Sequence, residues 1–349
     1  MAIKTIDGAK WSCRGCGDCC RGFAFGPVEP AVIAGLKAAD IVAKWAPAAQ
    51  AAWFSTRPDG EHFLTHRDGH CVFLQEDNLC AVHRLLGEPA KPWFCREYPF
   101  HAVERSDGAV AVTVRADCGG LHESFADGAP AAPQAEAAVA LPRIVPRQSF
   151  APRQVVILPR VAVGLENWLQ IEPHLLAHLA ASRTPEDAAA STRSMLLSMA
   201  GRPAVSADPV AHQAAMQAVT TGLAEVARTA DAPPPYRATL GWAAGLLAAI
   251  TPTSPLPPLS DAAMRYLGLI LRGEVLTGRL GTVGGLPAMM GLFMVEAAIA
   301  RCIAGGTEPL TPAELGETFP RLRRALHLPP LWAEIRARQP QLEVLFMTA

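Results

Sequence analysis

The chain has 349 residues, half of them apolar and 18% charged, with a formal net charge of −1. This length accommodates two domains, each with a hydrophobic core of its own. The near balance of charge excludes a global field that would draw the protein onto nucleic acid or an anionic membrane, and no basic stripe interleaved with aromatic residues marks a nucleic-acid surface.

In chain order, residues 1–128 read as a small unit of short strands, turns and one or two helices. Met1 to Lys10 lacks the apolar run of a secretory signal, so a cytoplasmic protein is expected. Apolar Val32, Ile33, Leu36, Ile41 and Val42 predict a helix from Pro30 to about Trp45. Two Asp-Gly pairs predict hairpins, because a two-residue turn needs positive φ at both central positions. Asp68-Gly69 lies between Glu61–His66 and His70–Leu74, and Asp107-Gly108 between His101–Arg105 and Ala109–Arg115. Residues 129–146, rich in Ala and Pro, read as a linker.

Residues 147–349 read as a mostly α-helical domain. Helices are predicted over Val161–Ala181, Pro185–Met199, Pro209–Ala230, Tyr236–Ile250, Ala262–Gly273, Ala288–Ala304 and Pro320–His327. Thr184-Pro185 supplies an N-cap with proline at the first helical position, and Thr311 to Glu314 spells a capping box. Proline clusters at 233–235 and 252–258 separate neighbouring helices. Of the most apolar stretches, Ala238 to Ile250 is too short for a bilayer, and Thr282 to Val295 is interrupted by Pro287 and closed by Glu296. No membrane span is expected. The fold class is α+β: a small cysteine-rich domain with short hairpins, then helices.

Eight of the nine cysteines lie between Cys13 and Cys118. Cys13-x2-Cys16-x2-Cys19-Cys20 places four sulfurs within eight residues, and Cys71, Cys80, Cys95 and Cys118 follow. In a reducing compartment such thiols serve as metal ligands rather than disulfides. The two-residue spacing of Cys13, Cys16 and Cys19 suits a segment that wraps a [4Fe-4S] cube, with a remote cysteine as the fourth ligand. Gly15 and Gly17 permit the sharp turns such a loop needs. Eight thiolates also suffice for two four-cysteine sites: two clusters, two zinc ions, or one of each. The wide spacing of the distal four, unlike the paired knuckles of zinc sites, favours iron-sulfur. Cys19 and Cys20 would point apart in an extended segment and need not share a centre. Cys302, on a long apolar helix, reads as a buried core thiol.

Six histidines, His62, His66, His70, His83, His101 and His122, also fall in the first unit. His83, three residues after Cys80, is a candidate ligand or hydrogen-bond donor, although cysteines alone suffice. Arg96 and Tyr98 can donate to thiolate sulfur or pair with local acids. Arg321 to Arg324 reads as the solvated face of a short helix.

The segments Cys13-Arg-Gly-Cys-Gly-Asp-Cys-Cys20, Gly69-His-Cys-Val-Phe-Leu74, Leu79-Cys-Ala-Val-His83 and Lys91-Pro-Trp-Phe-Cys-Arg-Glu-Tyr-Pro-Phe100 resemble the YkgJ-type CxxCxxCC family, a zinc- or iron-chelating domain, over roughly residues 13–118. The resemblance implies metal binding by the eight clustered cysteines. Similar proteins include the flagellin lysine N-methylases, in which a related cysteine domain precedes a long helical region. Met264 to Arg272 and Ala288 to Cys302 resemble that helical region. The likeness implies an enzyme acting on a protein substrate with S-adenosylmethionine and an iron-sulfur cluster. The residues themselves show no glycine-rich nucleotide fingerprint and no Cys-x3-Cys-x2-Cys run. Three functions therefore compete: a protein-modifying enzyme, a non-enzymatic metal-binding or redox-sensing module, and a structural zinc protein.

Overall fold

The computed structural model describes residues 1–22, 26–41, 53–231, 234–249 and 256–349. Strands β1 (Ile3–Lys4) and β2 (Lys10–Trp11) and the short helix α1 (Asp18–Gly22) open the chain. Helix α2 (Pro30–Ala38) starts on proline and buries Ile33 and Leu36; its predicted extension through Val42 to Trp45 lies outside the described residues. β3 (Phe54–Thr56) and β4 (His62–Leu64) form a hairpin that the Asp-Gly signals did not reveal, taking residues expected to belong to the next one. β5 (His66–Arg67) and β6 (His70–Cys71) form the predicted Asp68-Gly69 hairpin in shortened form, with φ of 51° and 81° at its two central residues. Helices α3 (Ala81–Leu86) and α4 (Trp93–Glu97) follow.

β7 (Phe100–Arg105) and β8 (Val110–Val114) are the second predicted hairpin, with Phe100 opposite Val114 and Glu104 opposite Val110. Here only Gly108 has positive φ, 77°. The reason is a longer loop: Arg105 N–H donates to Ala109 C=O and Gly108 N–H donates back to Arg105 C=O, so one left-handed residue suffices.

After α5 (Leu121–Asp127) the predicted linker over residues 129–146 is replaced by ordered structure. β9 (Ala129–Pro130) pairs antiparallel with β2, and α6 (Ala131–Ala140) buries Ala131, Ala135, Ala138 and Val139 in the main core. Those positions recur at helical spacing; alanine carried the pattern, and its small side chain made the stretch resemble a spacer. β10 (Gln148–Phe150) then completes a four-stranded sheet ordered β1-β8-β7-β10, in which β1 and β10 run parallel to their neighbours.

β11 (Gln154–Leu158) and β12 (Val161–Gly164) pair antiparallel, so the helix expected from Val161 begins four residues later as α7 (Leu165–Ala181). β-Branched Val161 and Val163 favour the strand. The helical part continues with α8 (Pro185–Met199), α9 (Pro209–Thr229), α10 (Pro234–Ala249), α11 (Asp261–Leu276), α12 (Leu280–Val283), α13 (Leu286–Ala304), α14 (Pro312–Leu326), α15 (Pro329–Ala337) and α16 (Gln339–Thr348). Thr184 caps α8 by accepting from Asp187 N–H, and Thr311 and Glu314 close a reciprocal capping box on α14. That cap starts α14 well before the predicted Pro320, which sits inside it. α12, α15 and α16 were not predicted. Of the proline clusters, residues 233 and 252–255 lie outside the described residues.

Pro287 does not interrupt the apolar helix but occupies the first turn of α13, which runs on past Glu296. By length and composition α13 is apolar enough to cross a membrane, and 89% of that window is buried inside the fold. It packs against α14 and α16. Residues from Phe100 to Phe346 share one core, whereas a smaller core gathers residues from Val28 to Phe94 around Cys71. Ile3, Ala9 and Trp11 of the opening segment also pack against the larger core.

Arg105 pins the sheet to the helices. Its guanidinium donates to both Glu172 carboxylate oxygens, at 3.0 and 2.7 Å, and to Leu276 C=O at 2.7 Å. Both side chains are buried. Arg105→Met would leave Glu172 as an uncompensated buried carboxylate, and an expected cost of about 3–5 kcal/mol follows. Arg228→Ala, which removes an exposed pair with Glu225, should cost no more than about 0.5 kcal/mol. Urea unfolding of the two variants checks the contrast.

Candidate metal centre

Cys13 and Cys16 lie in the loop after β2, Cys19 and Cys20 in α1, Cys71 in β6, Cys80 at the N-cap of α3, Cys95 in α4, and Cys118 in the turn after β8. The first loop turns at Gly15 and Gly17, with φ of 66° and 72°, and Cys20 N–H closes it on Gly17 C=O. Cys19 and Cys20 are helical instead of extended. Adjacent helical side chains stand about 100° apart, and here the two sulfurs are 4.0 Å from each other. The expectation that they point to different sides is corrected accordingly. Downstream, Leu74 bridges to Cys80 and Ala81 N–H donates to Phe73 C=O, folding Cys80 back beside the strand that carries Cys71.

A cavity of about 420 Å³ is lined by Cys13, Cys16, Cys19, Cys95 and Cys118. Electrostatic coupling links the cysteines in two overlapping sets. Cys13 and Cys19 act on Cys16, and Cys16 acts on Cys118. Cys80 and Cys19 act on Cys71, and Cys71, Cys80 and Cys19 act on Cys95. Cys19 therefore stands at the junction. The second group, with Cys20, packs in the small core, while Cys118 belongs to the large one. Among the described residues, no three His, Cys, Asp or Glu side chains converge closely enough to hold a single ion.

Burial raises the thiols of Cys71 and Cys118 to about 12 and pushes those of Cys16 and Cys95 up as well. For Cys19 the first cause is the hydrogen bond shared with Cys20, then burial. Opposing this are donors that favour the thiolate form. Cys16, Cys71 and Cys118 each accept a backbone N–H from the residue two positions on, namely Asp18, Phe73 and Gly120. Lys91, on the cavity wall, lowers both Cys19 and Cys95. The buried Trp11 indole N–H has no conventional acceptor, and it favours the Cys118 thiolate. Cys13 is exposed, but the other clustered sulfurs are partly or fully shielded from water and several are provided with N–H donors, as a metal thiolate requires. The residues present thus fit a thiolate-bound metal.

The helical part holds this centre in shape. Arg115 grips Asp117 through two hydrogen bonds of 2.9 and 2.6 Å, and Tyr98 Oη and Arg324 Nη1 both donate to Asp117 C=O, at 3.3 and 2.8 Å. Arg324 also pairs with Asp18 at 3.3 Å, between Cys16 and Cys19. One side chain of α14 thereby ties the CxxC loop to the Cys118 turn. Gly119 lets the two meet, since a Cβ there would lie 2.8 Å from the Asp18 carboxyl carbon.

Several expected roles change. Arg321 to Arg324 is only in part a solvated face: Arg321 is exposed, whereas Arg323 is 2% exposed and Arg324 is committed as described. Of the two alternatives for Arg96, pairing with a local acid holds, since it bonds Glu88 at 2.9 Å, while Tyr98 donates to a carbonyl. His83 is exposed at the cavity wall. His62 bonds Thr56, His70 meets the Asp68 carbonyl and His101 bonds Gln148, while His66 is kept neutral by burial and His122 lies 3.7 Å from Glu123. Cys302 is half-buried rather than buried. The sequence did not single out Trp11, Lys91, Asp117 or Arg324. Trp11 and Asp117 each lie within two residues of a cysteine and Lys91 opens a quoted segment, but nothing local marks Arg324.

Residues 12–118 match the CxxCxxCC family model, described as "Putative zinc- or iron-chelating domain". The N-terminal segment is of this metal-chelating type. No curated protein and no solved structure matches the chain. The matched residues end at Cys118, on the turn that Arg324 clamps from outside the matched segment. Arg324→Ala should therefore release metal about tenfold more readily to a chelator, as for other outer supports of metal ligands. Chelator titration of the purified protein, followed by metal analysis, reads this directly; an unchanged release curve would sink the clamp.

Proposed function

We propose that the cavity lined by five cysteines houses a [4Fe-4S] cluster, held by Cys13, Cys16 and Cys19 with Cys118 as the remote ligand. The observation that carries this reading is the cavity itself: about 420 Å³ ringed by sulfurs, with no triad of ligands drawn in to the spacing of a single ion among the described residues. A cube takes each thiolate on a different iron, so its ligands stand apart, whereas a zinc ion draws four ligands to about 2.3 Å. A cluster there would supply one-electron chemistry. The chain's own residues would donate N–H bonds to the ligand sulfurs through Trp11 and the i+2 amides, and Lys91 would stand near Cys19 and Cys95. Those donors favour the thiolate form and raise the reduction potential.

Zinc is the second reading for the remaining group. The Leu74 bridge folds Cys80 back beside the strand of Cys71, with Cys95 and Cys20 in the same apolar surroundings; like the first group they are not drawn in to single-ion spacing, so a zinc ion there would have to pull them together. A redox-sensing module is the function these features support. The reading as a protein N-methylase, with S-adenosylmethionine and a protein substrate, draws its support from the resemblance of the motifs.

Anaerobically purified protein should be brown and contain iron and acid-labile sulfide. Cys16→Ser should remove most of the visible absorbance, because a hydroxyl is a much poorer iron ligand than a thiolate. Cys302→Ala should leave iron and sulfide unchanged. A colourless protein with stoichiometric zinc and no sulfide would replace the cluster by zinc at both groups.

A further inference from the structure

On the other side of the Arg115–Cys118 segment from the thiols lies a second and larger cavity, of about 770 Å³. It opens between the β7, β8 and β10 side of the sheet and helices α11, α12, α14 and α15. Nothing in the cysteine centre uses it. Its volume is within the range of about 300–1,000 Å³ typical of small-molecule sites.

Three guanidinium groups, of Arg115, Arg279 and Arg323, reach this cavity. Asp117 takes two donors of Arg115, and Glu274 lies 2.8 Å from Arg279 and 3.1 Å from Arg323. The guanidinium groups of Arg279 and Arg323 have five N–H donors each, more than the neighbouring acids absorb. Arg323 is the telling case: it is 2% exposed, and its Nη1 is buried without an acceptor. Glu296, the acid behind Arg279 and Arg323, is raised to about 8 by burial, and burial keeps His327 neutral, lowered to about 3. Positive charge therefore exceeds negative at neutral pH. Trp332 supplies an aromatic wall, with the His327 ring 5.4 Å from it edge-on and Arg279 5.4 Å over its face.

We propose that this cavity binds a small organic anion, a carboxylate or a phosphate monoester, whose charged group is taken by Arg323 and Arg279 and whose ring or chain lies against Trp332. The site is independent of which metal the cysteines hold.

The test uses the full-length protein, with metal content measured on the same sample, and two probes that differ only in their anionic group, benzoate and phenyl phosphate. Isothermal titration should show saturable single-site binding of at least one, and which one binds tells carboxylate from phosphate. Arg323→Gln should abolish that binding. Because this variant leaves Glu274 and Glu296 short of a partner and can fail to fold, Thr282→Asp is the second arm. Thr282 is an exposed residue of the cavity lining, where a new carboxylate should weaken an anion by about tenfold or more without touching the core. Arg228→Gln, on the exposed surface of α9, should bind as the parent does. Absence of saturable binding for both probes, or binding undiminished in Thr282→Asp, overturns the proposal whatever the metal analysis shows.

Discussion

The carbonyl of Asp117 is the point on which the two parts of the molecule turn. It accepts from Tyr98, next to the Cys95 helix, and from Arg324, on a helix more than two hundred residues away, while its own side chain is locked onto Arg115. The next residue is Cys118. A ligand at the end of a hairpin would otherwise sample many positions, at an entropic cost to any metal that must fix it. Here two donors on one carbonyl and a bidentate ion pair fix the backbone beforehand. Arg324 extends the constraint to Asp18, so the spacing between the CxxC loop and Cys118 is set by the helical part and not by the cysteine segment alone. This explains physically why a metal-chelating segment ending at residue 118 is followed by a large helical body: the helices are the frame on which its two loops are mounted.

The same helices carry charges where composition suggested none. Arg279 and Arg323 meet Glu274 and Glu296 in the interior, with separations from 2.8 to 3.5 Å. Glu296 sits in the middle of the most apolar helix of the chain, and it is the reason that helix belongs in a protein core. A lone carboxylate there would be prohibitively costly; burial raises Glu296 to about 8, so at neutral pH it is largely protonated beside two guanidinium groups from neighbouring elements. Buried polar networks of this kind add little net stability compared with apolar packing, but they penalise wrong packing heavily, because any shift of α13 against α14 strands a guanidinium or a carboxyl group. The network also places guanidinium groups at the wall of a large cavity, so packing specificity and anion recognition draw on the same side chains.

What was legible in the sequence followed from strong local signals. Asp68-Gly69 and Asp107-Gly108 marked true hairpins, and Thr184 and Thr311 marked true caps, because turns and caps are decided within a few residues. Gly15 and Gly17 take the left-handed backbone their spacing between cysteines required. The failures have equally definite causes. The alanines of α6 carry a buried face with so little bulk that composition suggested a spacer, and Val161 and Val163 sat in a helix-like apolar run that a hairpin partner claimed. Arg323 and Arg324 looked like a solvated run, since a sequence does not show which acids from distant elements will face them. That Cys16, Cys19 and Cys118 line one cavity is likewise a long-range fact that spacing alone leaves open.

The energetics of the thiols follow from their burial. With Cys71 and Cys118 raised to about 12 and Cys19 and Cys95 higher than usual, the metal-free segment holds neutral thiols at physiological pH and buries no uncompensated charge. Its small core of Val28, Leu36, Phe73 and Phe94 can therefore form around them. Metal binding then has to expel those protons, so loading releases acid and tightens as pH rises toward the thiol pKa values. The i+2 amides, Lys91 and Trp11 act in the opposite sense to burial: they stabilise the thiolates that remain once a cation is present. Burial without the donors would leave thiols too reluctant to ionise, and donors without burial would leave reactive thiolates open to water and oxidant. A metal held by these thiols would meet a geometry that the Asp117 clamp sets beforehand.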